Sequence, residues 1–418
     1  MLELGLLLGI YANIIAGMGF LGEWGVGKLW LTLPGFLITA LFVLRKKKMN
    51  FEIFKRNRFL FIIFGLIFLI NLIGAFGPEL GFDALWYHLT IPKLWLMSEK
   101  VYFINGDLYY SALPKILEMF YALPLSLDWE IGAKLVHFFF GVLCFGVTYK
   151  IARIYLDEKE SLLAAIIFYA NLVVGWMSIT AYIDLGRTFF EALALLVFLK
   201  RKYFWTAIIL GFAITSKILA IGSLPVFLVL GFPALYSLLS ILVVSPWLIF
   251  NFVNTGNPIY PIFSGYDLSS QRLIWDVFTI FVTSADPILP IYLIMVPSLI
   301  LNFRFLISNL ARKKLIVYCF LTLLVWWLTP RTGGGRFFLP YLPAWSVLTM
   351  IVINDLKEKH IKKFLHICLW LLIVINIIYR TAANWKYWPY LFGKQTKEEF
   401  LDMYLNKNFG KNYYYQLP

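Results

Sequence analysis

The chain has 418 residues, of which 61% are hydrophobic and only 14% charged, and its mean hydropathy is +0.78. A water-soluble fold cannot hide that much apolar surface, and disorder, collagen and a secreted disulfide scaffold are excluded with it, so the composition predicts a polytopic membrane protein. The net charge of +14 falls in short basic clusters between apolar runs, which is the footprint of cytoplasmic loops and not of a nucleic-acid surface.

In chain order, the first apolar run, 2–20, carries acidic Glu3 instead of a basic leader and shows no small-residue cleavage site, so it is read as a retained helix. Further runs cover about 28–44, 59–76, 132–150, 161–179, 182–199, 204–231, 233–252, 289–303, 315–329, 337–353 and 363–379. Each is expected to be helical, because hydrocarbon offers no partner to a broken backbone. Cys144, Cys319 and Cys368 sit inside these runs without metal-ligand spacing and read as packing residues. Basic clusters at Arg45 to Arg58, Lys150 to Lys159, Lys200 to Lys202, Arg304 to Lys314 and Lys357 to Lys363 are expected in the cytoplasm.

The run 204–231 sets the parity. As one helix it would export the last two basic clusters; as two short spans meeting near Thr215, Ser216 and Lys217 it keeps every cluster inside. The second reading predicts an all-α bundle of about 13 transmembrane helices in the cytoplasmic membrane, N-terminus inside and C-terminus outside. Lys217 then stands at an outward apex. The outer side receives a large first loop at 77–131, the turn at 181–187, the segments 253–288 and 329–338, and the tail. With no internal repeat of fixed period and no low-complexity linker, the simplest organisation is one transmembrane domain, 1–380, followed by a short tail, 381–418.

Several polar residues stand where chemistry is expected. Asp83 follows the end of a span, with Tyr87 one turn on and His88 beside it; a partly desolvated carboxylate there suits general-base work or cation binding, and helix capping is the alternative. Lys93 follows in the same loop. Residues 114–123 place Ile116, Leu117, Phe120 and Leu123 on one face and Lys115 and Glu118 on another, which reads as a helix lying in the membrane interface or as a cover over the bundle. Asp184 either pairs with Arg187 or joins Asp83 as a second acid. Arg331 and Arg336 flank three glycines, a flexible turn or a phosphate site, and Lys217 is either a further phosphate contact or a snorkelling side chain.

Taken in order, FDALWYHLTIPKLWL, AYIDLGRTFFEALAL, GFAITSKILA, SPWLIFNFVNTGNPIYPIF and GGGRFFLPYLP resemble polytopic glycosyltransferases of the GT-C superfamily, over about residues 59–380. The resemblance implies a multi-helix fold, an essential Asp in the first large outer loop, and a sugar donor carried on a polyprenyl phosphate. It matches Asp83 to the first-loop acid, Asp184 to a second acid, and Lys217, Arg331 and Arg336 to donor-phosphate contacts. Beside these, Tyr87, His88 and Lys93 of the first loop are expected to bind substrate. A divalent metal ion is compatible with it, although Asp83 is followed by Ala84 where the family often has an acidic pair. The reaction expected is inverting transfer to a lipid, glycan or protein acceptor among membrane lipids, with no nucleic-acid partner. A transporter or flippase for a lipid-linked sugar is the alternative, since it too would use outward charges and a broken helix.

Overall fold

The computed structural model describes residues 1–45, 51–261, 264, 275–282, 287–294, 296, 310–329, 334–405 and 411–417. Every regular element among them is a helix or helical turn. Among the described residues, six helices are long and apolar enough to cross a bilayer: α1 (Leu2–Phe20), α2 (Val26–Arg45), α3 (Arg58–Ala75), α5 (Glu130–Ala152), α11 (Ala234–Thr255) and α14 (Lys359–Asn384), where α4 is the short helix Ile116–Leu125.

The other apolar runs form shorter helices among the described residues, and their shortness has a physical origin. The run 161–179 breaks into α6 (Glu158–Tyr169) and α7 (Leu172–Met177), 182–199 becomes α8 (Asp184–Leu199), and 204–231 becomes α9 (Tyr203–Ser216), a 3-10 turn and α10 (Ser223–Val229). After α12 (Leu310–Leu328), the run 337–353 forms two 3-10 turns and α13 (Leu342–Asp355). These pieces occupy the centre of the bundle: α8 is buried from Asp184 to Phe198, and α13 from Leu342 to Ile353. A helix walled by protein finds partners for its ends there and need not match the bilayer thickness. The break at Lys217 agrees with the reading of 204–231 as two pieces, since α9 stops at Ser216 and Lys217 is extended (φ −158°, ψ 119°). Most of 289–303 lies outside the described residues.

The loop 77–131 starts where Gly77 and Pro78 end α3. Lys134 of α5 donates from Nζ to the carbonyls of Gly74 (3.3 Å), Gly77 and Pro78 (3.2 Å), serving acceptors that the helix end leaves open. The expectation of an interfacial helix at 114–123 is corrected. α4 is buried on all sides, and its polar face is closed by protein: Glu118 Oε1 lies 2.8 Å from His88 Nδ1 and 3.2 Å from Lys115 Nζ. It packs against α1 and α5, and Gly186 of α8 admits it closely, because a Cβ at Gly186 would stand 2.4 Å from the Leu117 side chain.

The C-terminal segment packs onto the same loop. Lys397 donates to Glu130 (2.7 Å), the Tyr415 hydroxyl donates to Glu130 (3.0 Å) and that of Tyr413 to Asp107 (2.6 Å), while Lys411 Nζ lies 3.9 Å from the Trp86 ring centroid. The sidedness of the loop is tested by labelling. In a background lacking Cys144, Cys319 and Cys368, the expected outcome is that Ser98→Cys reacts with a membrane-impermeant maleimide in intact cells and Lys363→Cys only after permeabilisation; the reverse pattern overturns the orientation read from the basic clusters.

Candidate functional site

Two chain segments, 79–83 and 180–185, are stitched together by one buried carboxylate. Glu79 accepts from the backbone N–H of Leu80 (2.9 Å) and Gly81 (2.6 Å) with one oxygen and of Ala181 (2.6 Å) with the other. Burial pushes the Glu79 carboxyl above its usual range, against the pull of Lys134 and of these donors. Tyr182 adds a second tie, its hydroxyl accepting from the Asp83 N–H (3.1 Å).

Asp83 occupies the cap position of the wide helical turn Ala84–His88, which is closed by a bond from Leu89 N–H to the Ala84 carbonyl (2.9 Å). Its carboxylate makes no capping bond. It reaches Arg336 instead, Oδ2 to Nη1 2.6 Å. Arg336 stands in the 3-10 turn Gly335–Phe337, and its Nε is 3.8 Å from Asp184 Oδ2. Lys217 completes the row, donating to Asp184 Oδ1 at 2.7 Å. The order is therefore acid, base, acid, base. The side chain of Asp184 is 2% exposed, against 13% for Asp83 and 16% each for Arg336 and Lys217, so three members keep an open edge while Asp184 is closed in.

Aromatic faces flank both cations. The Arg336 guanidinium lies 5.0 Å from the Tyr182 ring centroid and 5.2 Å from that of Phe337, and Lys217 Nζ lies 4.8 Å from the Phe337 centroid. Asp184 opens α8, where the helix dipole favours an anion. The next N–H, of Leu185, donates to His137 Nε2 (2.9 Å), which requires the His137 proton on Nδ1, where the Thr180 carbonyl accepts it (2.8 Å).

The structure thus brings Asp83, Asp184, Lys217 and Arg336 together. The expected pairing of Asp184 with Arg187 is corrected: Arg187 Nε donates to Glu191 (2.7 Å) and Nη2 to the Tyr341 hydroxyl (3.1 Å). Tyr87 stacks on Tyr110 with centroids 4.4 Å apart, and burial, with Asp83 second, holds its phenol well above the usual range as a protonated donor. His88 is engaged with Glu118, its pKa lowered by burial. Lys93 is bridged to Asp128. Arg331 lies outside the described residues. Glu79, His137, Tyr182 and Phe337 were not singled out from the sequence; the signal for Glu79 and His137 is a lone polar group at or inside an apolar run, while the two rings simply neighbour Asp184 and Arg336.

Chemically, the row offers two carboxylates and two cations with aromatic walls. Among the described residues no three His, Cys, Asp or Glu side chains converge to hold a metal ion, and each acid of the row already faces a cation. The donor set does not fit a divalent ion, and no step below runs through one.

No family model and no curated protein matches the sequence. Solved structures do match in fold. ArnT from Cupriavidus metallidurans in the apo state aligns at a TM-score of 0.56 and 14% identity over 74% of this chain and 62% of that one. The same protein bound to undecaprenyl phosphate gives 0.51 and 13% over 73% and 62%. The archaeal oligosaccharyltransferase AglB from Archaeoglobus fulgidus, in complex with an inhibitory peptide and a dolichol-phosphate, gives 0.51 and 11% over 84% and 60%. At such identities the likeness is one of fold alone. The chain spans 62% and 60% of the lengths of those two proteins.

The ion row makes a stability prediction. Lys217→Met strands the Asp184 carboxylate in a site closed to water, and is expected to destabilise the protein by about 3 kcal/mol, at the low end for a broken buried pair because Arg336 remains nearby. Adding Asp184→Asn should recover most of that loss in thermal unfolding of the purified protein. A double variant no more stable than the single one would show that the pair is not what holds this region.

Proposed function

We propose that the chain is a membrane glycosyltransferase that moves a sugar from a polyprenyl-phosphate-linked donor to an acceptor hydroxyl on the outer face of the cytoplasmic membrane, with inversion at the anomeric carbon. The observation that carries this reading is the row Asp83, Arg336, Asp184, Lys217, which sets the partly open Asp83 carboxylate on Arg336 and brings a second cation, Lys217, to the same row through Asp184. The fold adds support, because one similar structure is described as bound to undecaprenyl phosphate and another as in complex with a dolichol-phosphate.

Each group has a task. The planar guanidinium of Arg336 suits bidentate contact with a phosphate, and Lys217, oriented by Asp184, supplies a second charge. Without donor, Arg336 rests on Asp83, so base and phosphate holder neutralise each other. A donor phosphate competes with Asp83 for Arg336 and, on winning, leaves Asp83 free to accept a proton. Asp83 then takes the proton of the acceptor hydroxyl as that oxygen bonds to the anomeric carbon. The bond from that carbon to the phosphate oxygen breaks on the opposite side, its electron pair departs with the lipid phosphate, and Arg336 and Lys217 meet the growing charge. Tyr87, protonated and half-buried, lines the approach.

The competition gives the test. Asp83→Asn is expected to lower turnover by about 10²–10⁴ and yet to bind undecaprenyl phosphate more tightly than the wild type, because Arg336 is released. Arg336→Gln should lose both. Affinity is read by titrating the purified protein with undecaprenyl phosphate, and turnover by mass spectrometry of envelope glycans and lipids from cells carrying each variant or none. Near-normal turnover in Asp83→Asn would remove the base, and a wild type without affinity for undecaprenyl phosphate would remove the donor class.

A further inference from the structure

Between α3, the junction of α6 and α7, and α14 lies a cavity with room for the centre of one water-sized particle, about 10 Å³, lined by Asn71, Tyr169, Asn171, Gly175, Asn376 and Arg380 together with apolar side chains. Two of its amides are satisfied. Asn171 donates to the Ile167 carbonyl (2.7 Å) and the Tyr292 hydroxyl (2.9 Å) and accepts from Leu289 N–H (2.9 Å), and Asn376 donates to the Ala170 carbonyl (2.9 Å).

Three lining residues are not. The Tyr169 hydroxyl, both polar atoms of Asn71 and Nε of Arg380 lack a well-formed hydrogen bond, although Tyr169 and Asn71 are neighbours. Asn71 and Tyr169 are fully buried and Arg380 is 7% exposed. Arg380 gives Nη2 to the Gly175 carbonyl (3.0 Å) and to Asn384 Oδ1 (3.0 Å), and among the described residues no carboxylate comes within ion-pair distance of it. The chain makes room for this cation, since a Cβ at Gly175 would stand 2.7 Å from Arg380 Nε.

We propose that this cavity binds one small monovalent anion of the size of chloride, held by Arg380 Nε–H, the Tyr169 hydroxyl and the Asn71 amide. A water molecule could meet the same donors and also serve Asn71 Oδ1. It would leave the guanidinium charge unneutralised inside a helix bundle, and that is the larger penalty. Asn384 in turn donates to the Ile70 carbonyl (2.7 Å). The anion therefore pins α14 to α3 and to the end of α6; α3 leads into the segment bearing Asp83, and α6 leads through α7 into the segment bearing Asp184. The inference does not depend on the proposed reaction.

The experiment compares thermal unfolding of the purified full chain in sodium chloride and in sodium gluconate, an anion too large for the cavity, at equal ionic strength. Chloride is expected to raise Tm by about 1–3 °C per tenfold in concentration once binding is half-saturated. Tyr169→Phe should weaken that dependence and Arg380→Gln abolish it, and a crystal soaked in bromide should show an anomalous peak in the cavity. Equal stability in the two salts, or ordered water with no bromide peak, overturns the proposal. If Arg380→Gln does not fold, the salt dependence of the wild type and of Tyr169→Phe decides.

Discussion

A charge held among membrane helices must be met by an opposite charge or by hydrogen bonds, because taking it out of water costs several kcal/mol. The interior of this protein is organised by that requirement. Lys134 is met by three carbonyls at the end of α3, Arg187 by Glu191 and Tyr341, and Glu118 by Lys115 and His88. Each group includes one contact that ties a helix to another segment: Lys134 to the end of α3, Arg187 to Tyr341, and Glu118 to His88. Together they hold the loop 77–131 and the start of α8 in register, which is what lets Asp83 and Asp184 approach one cation.

The pairs differ in what they leave open. Arg187 and Glu191 are closed from solvent and use their polar atoms on Tyr341 and Ser223, so that pair reads as a clamp between α8 and the turn before α13. In the row at Asp83, three side chains keep an exposed edge, and the contact from Arg336 to Asp184 is a loose 3.8 Å. A loose, partly open ion row can exchange a partner for a ligand. A closed one cannot do so without unfolding its surroundings.

The same distinction explains what the sequence could and could not say. Asp83, Asp184, Lys217 and Arg336 were legible because each interrupts or borders an apolar stretch where a charge is costly. The partner of Arg187 was not, because Asp184 and Glu191 both lie within a turn of it on α8, and only Tyr341 and Ser223, distant in sequence, select Glu191. Lys115 and Glu118 mark a polar face on 114–123, but a polar face does not announce whether it meets water or His88. Hydropathy likewise cannot tell a helix facing lipid from one walled by other helices, as α8 and α13 are.

The position of the row follows from where helices stop. Asp184 opens α8, Lys217 directly follows α9, Arg336 stands in the turns before α13, and Asp83 precedes the turn Ala84–His88. A helix end leaves up to four backbone groups without intrahelical partners, and in an apolar bundle only polar side chains can serve them. Gathering several ends at one place therefore concentrates polar residues that the bundle needs for its own integrity, as His137 does for Leu185 N–H and Glu79 for Ala181 N–H. The charged row borrows that polar ground. Unbroken spans would have satisfied their backbones internally and left no such place, so the shortened central helices are the structural condition for the site.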